Sequence, residues 1–251
     1  MARLDRLSAL IARFELQAEI ASCPEQANLY LLADATSGAL SRIEFWPIAQ
    51  GELDSISEKD DLMVAASINL GGEANPLARA LPSRITLSIN EESNLKDLAQ
   101  LIVGEVNETR CGRATTLQRL FEVLIIILLR RAMKEHSGEK GLLAGLADGQ
   151  ISKAIVAIHE KPEFDWRIED LADTAGLSRS QFMQRFKVRV GHTPAQYLRD
   201  WRLSLARQDL EKGDRVKVVA QRYCYGSQEA LSRAFNQRYQ CSPAQVRKTR
   251  A

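Results

Sequence analysis

The sequence predicts an α+β chain in two parts. Residues 1–145 form a short β-rich domain closed by helices, and residues 150–251 form an all-α domain built from two copies of one helix pair. Three observations carry this. Charge divides by position: residues 1–150 hold 15 Lys and Arg against 21 Asp and Glu, whereas 151–251 hold 19 against 11. The apolar period changes along the chain from the helical repeat to short runs and back. The last hundred residues also repeat themselves at an offset of 49.

At the start, Leu4, Leu7, Leu10, Ile11 and Phe14 make the stripe of an amphipathic helix over Arg3–Leu16. From Ser22 to Ile89 the apolar runs Leu29–Ala33, Ala39–Trp46, Leu62–Leu70 and Ile85–Ile89, broken by Gly, Asn, Asp and Pro, read as strands. Helical periodicity returns over Asn94–Glu108 and Thr115–His136. The second of these carries Leu117, Leu120, Phe121, Leu124, Ile125 and Leu128 on one face and a further stripe of Val123, Ile126, Ile127 and Leu129. Such a helix suits packing on both sides, as core or as a dimer contact. Ser137–Gln150, with four glycines, reads as a linker.

Composition excludes several classes. With 45% hydrophobic and 26% charged residues the chain has ordinary globular values. Its longest apolar run, Val123–Leu129, is far short of the roughly 20 residues of a spanning helix, so no membrane association is expected. Charges interrupt the first apolar residues, there is no signal-peptide core, and a cytoplasmic location is expected. Cys23, Cys111, Cys224 and Cys241 form no C-x-x-C pair, and the histidines are His136, His159 and His192. No zinc knuckle, His-based triad or clustered metal site is therefore expected, and no cofactor is implied.

In the repeat, Ser178–Tyr197 aligns with Ser227–Val246, with identities at Ser178/Ser227, Phe186/Phe235, Arg189/Arg238, Pro194/Pro243, Ala195/Ala244 and Gln196/Gln245. Upstream the offset is 48, so the second copy carries one extra residue in its turn. Each copy reads as a short helix (Ile168–Ala175; Val216–Tyr223), a tight turn, a Ser at a helix N-cap and a second helix with apolar residues facing inward. That is the layout of a helix-turn-helix, and Pro194–Glu211 reads as the helix that joins the two. Ala175–Ala251 holds 16 basic and 5 acidic residues, the electrostatic footprint of a nucleic-acid-binding domain.

The stretch Ile151–Ala251 resembles the DNA-binding domain of the AraC/XylS family of transcription regulators. The residues that carry the resemblance are Leu171-Ala172, Ala175-Gly176-Leu177-Ser178, Phe182, Arg185-Phe186-Lys187, Gly191-x-Thr193-Pro194-x-x-Tyr197, Arg202-Leu203 and Ala206. The second copy keeps Val219-Ala220, Tyr225-x-Ser227, Ser232-Arg233-Ala234-Phe235, Ser242-Pro243 and Arg247. It departs at Cys224 and Gln240, where turn glycines are usual, and at Leu231 and Val246, where aromatics are. Cys224 and Gln240 imply a reshaped or slightly strained second copy. The opening Leu4-Asp5-Arg6-Leu7-Ser8-x-Leu10 and the order of elements after it resemble a shortened, degenerate cupin-like sensor domain.

The resemblance implies double-stranded DNA as partner, read in the major groove, with RNA polymerase, a second copy of the chain and a small-molecule effector as further partners. If Phe182 and Phe186 face inward, the first helix presents Arg179, Ser180, Met183, Gln184 and Lys187. Gln184 suits adenine, Met183 a thymine methyl, and Arg179 and Lys187 phosphate. The same construction gives Gln228, Glu229, Ser232, Arg233 and Asn236 in the second, with Arg233 matched to guanine. Joined by one helix, the two would enter successive major grooves about 34 Å apart, over roughly 15–20 base pairs. In the N-terminal half, an effector among Tyr30, Phe45 and Trp46 and a redox role for Cys23 are both open. The alternative function is a DNA-tethered enzyme, for which residues 1–150 show no reactive constellation.

Overall fold

The computed structural model describes residues 16–48, 59–71, 75–91, 93–136 and 138–248. The chain forms two compact units, one made mostly of residues 13–135 and the other mostly of 136–251. The expected opening helix, Arg3–Leu16, lies outside the described residues apart from Leu16.

In the first unit, Gln17–Ile20 (β1), Leu29–Asp34 (β2), Leu40–Phe45 (β3), Asp60–Asn69 (β4) and Ile85–Ser88 (β5) form one antiparallel sheet in the order β1-β4-β2-β3-β5. Four of these are the expected strands, and β1 was not foreseen. The short helix Pro76–Ala80 (α1) leads into β5. Leu29 pairs with Phe45 and Ala66, and Leu31 with Ile43 and Val64, so the two-residue period gathers these buried side chains on one sheet face. The helices Ser93–Asn107 (α2) and Arg113–Glu135 (α3) pack on the sheet and bury Leu95, Ala99, Ile102, Phe121, Leu124, Ile125 and Leu128. In the second stripe of α3, Val123 is exposed and Ile126 and Ile127 are half-buried, but Leu129 is buried in the core.

The other sheet face holds a second cluster of Ala27, Tyr30, Leu32 and Trp46, in which the Tyr30 and Trp46 rings meet edge-on at 5.6 Å. Phe45 cannot join them, because its neighbour Trp46 has turned to this side and Phe45 pairs with Leu29 and Ile85 on the first. The expected grouping of Tyr30, Phe45 and Trp46 is therefore corrected: Tyr30 and Trp46 meet on this face, and Phe45 lies on the other. Beside them the fully buried Glu44 accepts hydrogen bonds from Arg42 Nε and Arg84 Nη2, both at 2.7 Å, and Arg42 Nη1 reaches Asp60 at 2.7 Å. A buried carboxylate persists only with such partners.

The second unit is helical. It comprises Leu142–Ala147 (α4), Ile151–Glu160 (α5), Ile168–Ala175 (α6), Arg179–Val190 (α7), Pro194–Glu211 (α8), Val216–Arg222 (α9), Gln228–Tyr239 (α10) and Pro243–Lys248 (α11). The expected linker Ser137–Gln150 is corrected: α4 sits inside it with Leu142, Leu143, Ala144, Gly145 and Leu146 buried. Its glycine serves close packing rather than freedom, since a Cβ on Gly145 would lie 2.7 Å from Val190 Cγ2 and 2.8 Å from Ile155 Cδ1. Around α8 the rings of Phe182, Phe186 and Tyr197 stack edge-on at 5.5 and 5.7 Å, and His159 Nε2 lies 2.6 Å from Tyr197 Oη. Burial pushes the Tyr197 hydroxyl far above the ordinary tyrosine value, so it stays protonated in this bond.

Candidate nucleic-acid interface

The two helix-turn-helix copies share their backbone bonding as well as their residues. In the first, the Gly176 N–H bonds to Asp173 O and the Leu177 N–H to Ala172 O, both at 3.0 Å. In the second, the Cys224 N–H bonds to Gln221 O at 3.3 Å and the Tyr225 N–H to Ala220 O at 2.9 Å, the same pattern 48 residues on. This closure of a helix C-terminus needs a left-handed residue. Gly176 supplies it at φ 67° and Cys224 at φ 60°. The copies then come into register at 49. Ser178 Oγ caps α7 by accepting from the Gln181 N–H, and Ser227 Oγ caps α10 by accepting from the Ala230 N–H at 3.2 Å. Gly191 ends α7 at φ 86° and Gln240 ends α10 at φ 56°, so both expected departures from glycine fall on strained, left-handed backbone. Thr193 and Ser242 cap the helices that follow, each ahead of a proline at the first helical position.

These caps orient each second helix so that Phe182 and Phe186, or Leu231 and Phe235, point into the core. The opposite face is polar. Arg179, Ser180, Gln184 and Lys187 are exposed along α7 and Met183 is half-buried; along α10, Gln228, Glu229, Arg233 and Asn236 are exposed and Ser232 is half-buried. The ten residues thus lie along two outward helix faces, as helical geometry required. Several are already engaged: Arg179 Nε pairs with Glu169 at 2.9 Å, Ser180 Oγ lies 3.4 Å from Ser178 Oγ, and the Ser232 hydroxyl donates to Gln228 O at 2.8 Å. Glu229 sits in the first turn of α10, where hydrogen bonding to Ser227, chiefly, holds its carboxyl below the ordinary value.

Sequence reading missed the groups that fix these helices in place. Asp148, with a side chain 1% exposed, accepts from the N–H groups of Gln150 and Ile151 at the start of α5 and from Arg185 Nε at 2.9 Å, with Arg189 Nε at 3.2 Å. Burial raises the Asp148 carboxyl, but these donors outweigh it and hold it below the ordinary range. An Asp just ahead of an apolar helical run was the available signal. In the second copy, Arg222 joins Asp209 at the end of α8 and Asp214, the latter at 2.7 Å, and Tyr223 Oη donates to Asp209 at 2.7 Å.

Cys23 is half-buried at the head of a short 3-10 turn over Pro24–Gln26, and Cys111 is exposed between α2 and α3; both are free thiols. Among the described residues no helix is long and apolar enough to cross a membrane.

Two family models match the chain, a helix-turn-helix domain over residues 171–249 and a cupin domain over 26–134. An HTH-type transcriptional regulator of Haemophilus influenzae is 30% identical over 174 residues, 69% of this chain and 58% of that protein. An AraC-like transcription regulator of Streptomyces lividans is 38% identical over 133 residues, 51% and 44%. The HTH-type transcriptional regulator AlkR of Acinetobacter baylyi is 32% identical over 178 residues, 69% and 58%. In these alignments the chain spans about half the length of each relative. With a cupin domain ahead of a paired helix-turn-helix, this chain belongs to the AraC-like family.

Proposed function

We propose that the protein is a sequence-specific DNA-binding transcription regulator, with α7 and α10 entering successive major grooves on one side of a duplex. The observation that carries this is the pair of exposed polar helix faces, each set by the same turn bonds and the same Ser cap, at the two ends of the 18-residue helix α8. One protomer then reads an asymmetric site of roughly 15–20 base pairs. Gln184 and Arg233 are the base readers; Arg179 and Lys187 take phosphate, with Arg179 exchanging its exposed Glu169 partner for it. Around them Ser180, Met183, Gln228, Glu229, Ser232 and Asn236 line the groove.

The cupin domain is the regulatory half in this reading. Tyr30 and Trp46 beside the buried Glu44 form its effector side, and the exposed Val123 on α3 lies in its contact with a second copy. RNA polymerase is the partner through which binding alters transcription. The test is a salt titration of the full chain on duplex DNA. Lys and Arg exceed Asp and Glu by 11 over Ala175–Ala251, so affinity should fall steeply with salt, by about 0.9 log units per log unit for each phosphate neutralised. A slope near zero would sink the reading.

A further inference from the structure

A cleft of about 520 Å³ opens between the two helix-turn-helix copies. Trp166, Leu198 and Tyr225 give it apolar walls, and Arg199 and Arg167 stand in its lining. One side is the start of α6 and of α8, which belong to the first copy and the joining helix. The other is the turn of the second copy, Tyr223 to Tyr225. We propose that this cleft is a binding site for a small amphipathic carboxylate, an aromatic or medium-chain acid, whose occupancy sets the second reading helix relative to the first. The regulatory half of the statement rests on the DNA-binding reading above; the binding half does not.

Three features of the cleft select this class. Its size falls in the ordinary range for small-ligand sites, and its lining is mainly apolar, which suits a hydrocarbon body better than a phosphodiester. The Tyr225 hydroxyl oxygen is buried and has no hydrogen-bond partner, a cost that a bound acceptor would remove. Burial pushes this hydroxyl up to about 12, against the pull of Arg202 and Arg199, so at neutral pH it is a donor awaiting an acceptor. Finally, the charged groups are unequally committed. Arg202 is spent on Pro162 O and Phe164 O, both at 2.8 Å, and Glu169 on Arg179, whereas Arg199 is exposed and pairs with no carboxylate among the described residues. A carboxylate placed between Tyr225 Oη and Arg199 would satisfy both, with the apolar body against Trp166 and Leu198.

The second wall can respond. Cys224 holds left-handed backbone at φ 60°, and its Sγ donates to Glu163 O at 2.8 Å, which ties the second turn to the loop ahead of α6. A ligand wedged beside this tie shifts the turn that positions α10.

The test is calorimetric titration of the full chain with 1-naphthoate and decanoate, with 1-naphthamide as the uncharged control. At least one of the two acids should bind with a sub-millimolar Kd, and where it is 1-naphthoate the amide should bind at least tenfold more weakly. Tyr225→Phe and Arg199→Gln should each weaken the acid about tenfold, and Arg199→Lys should retain most of it, while thermal unfolding stays near that of the parent chain. Absence of binding by both acids at 2 mM, or binding that neither substitution weakens, would overturn the proposal. So would a cleft that serves the duplex instead: Arg199→Gln weakening DNA binding several-fold with no acid bound. Because calorimetry is done without DNA, acid binding by a chain that ignores duplex would leave the site standing and refute only its regulatory role.

Discussion

Cys224 and Gly176 occupy the same place in two tandem turns, at φ 60° and 67°, and close them with the same pair of backbone hydrogen bonds. A side chain in this conformation costs roughly 1–2 kcal/mol relative to glycine's freedom there. The second copy therefore holds its fold against strain at both ends of the unit, since Gln240 repeats the situation at φ 56° where Gly191 stands in the first.

Relieving that strain should stabilise the protein. Gln240→Gly is expected to raise stability by up to about 1 kcal/mol, because it removes the left-handed penalty and loses only a weak 3.3 Å bond from its side chain to Gln237 O. Gly191→Ala should do the opposite by about 1–2 kcal/mol. Chemical denaturation of the two variants checks both signs; a destabilised Gln240→Gly would show that φ strain is not what limits this turn.

Gly145→Ala should destabilise by about 1–3 kcal/mol, since its methyl would enter space held by Val190, a stiff β-branched side chain, and Ile155, both buried. A neutral result in thermal melts would contradict the packing role of α4. The linker expectation failed at this point because a glycine-rich stretch carries the same composition whether it gives freedom or allows close approach. Leu142, Leu143 and Leu146 were the better guide. Likewise β1 is only four residues long, Gln17–Ile20, and follows an apolar helical stripe with no turn signal between them. The helix-turn-helix copies were legible almost to the residue because caps, turn residues and core aromatics all agree, and the repeat doubles each signal. Asp148 was not, because its partners Arg185 and Arg189 are 37 and 41 positions away in sequence.

Asp148→Asn should cost about 1–3 kcal/mol, below the usual penalty for breaking a buried pair because both arginines are nearly half exposed. Its folded value lies below the ordinary one, so the contribution is complete above the ordinary carboxylate range and is lost as pH falls through the lowered folded value. The difference in melting temperature between parent and variant should therefore be constant near neutrality and shrink below about pH 4. A difference that grew on acidification would contradict the assignment.

Val123, 48% exposed on α3, is the outward residue of a helix whose other large apolar side chains are buried or half-buried. The full chain should be dimeric at micromolar concentration and Val123→Asp monomeric with an unchanged melting temperature. Light scattering decides it, and a monomeric parent chain removes the dimer.

The first copy, with glycine at both left-handed positions, should hold its reading helix more firmly and dominate sequence choice. Gln184→Ala should cost about 1–3 kcal/mol against the preferred site, Arg233→Ala less, and Lys187→Ala should weaken all sequences about equally. Binding to a panel of single-base variants of the preferred site orders the three; discrimination that collapses in Arg233→Ala and survives in Gln184→Ala reverses the ranking.

The pairing of α7 with α10 as two DNA readers is tested most directly by selecting binding sites from random duplexes with the full chain, in parallel with Gln184→Ala and Arg233→Ala. The expected result is an asymmetric site with two patches of base preference about one helical turn apart, one relaxed at one or two base pairs by Gln184→Ala and the other by Arg233→Ala. A single patch, or both substitutions relaxing the same base pairs, would contradict it.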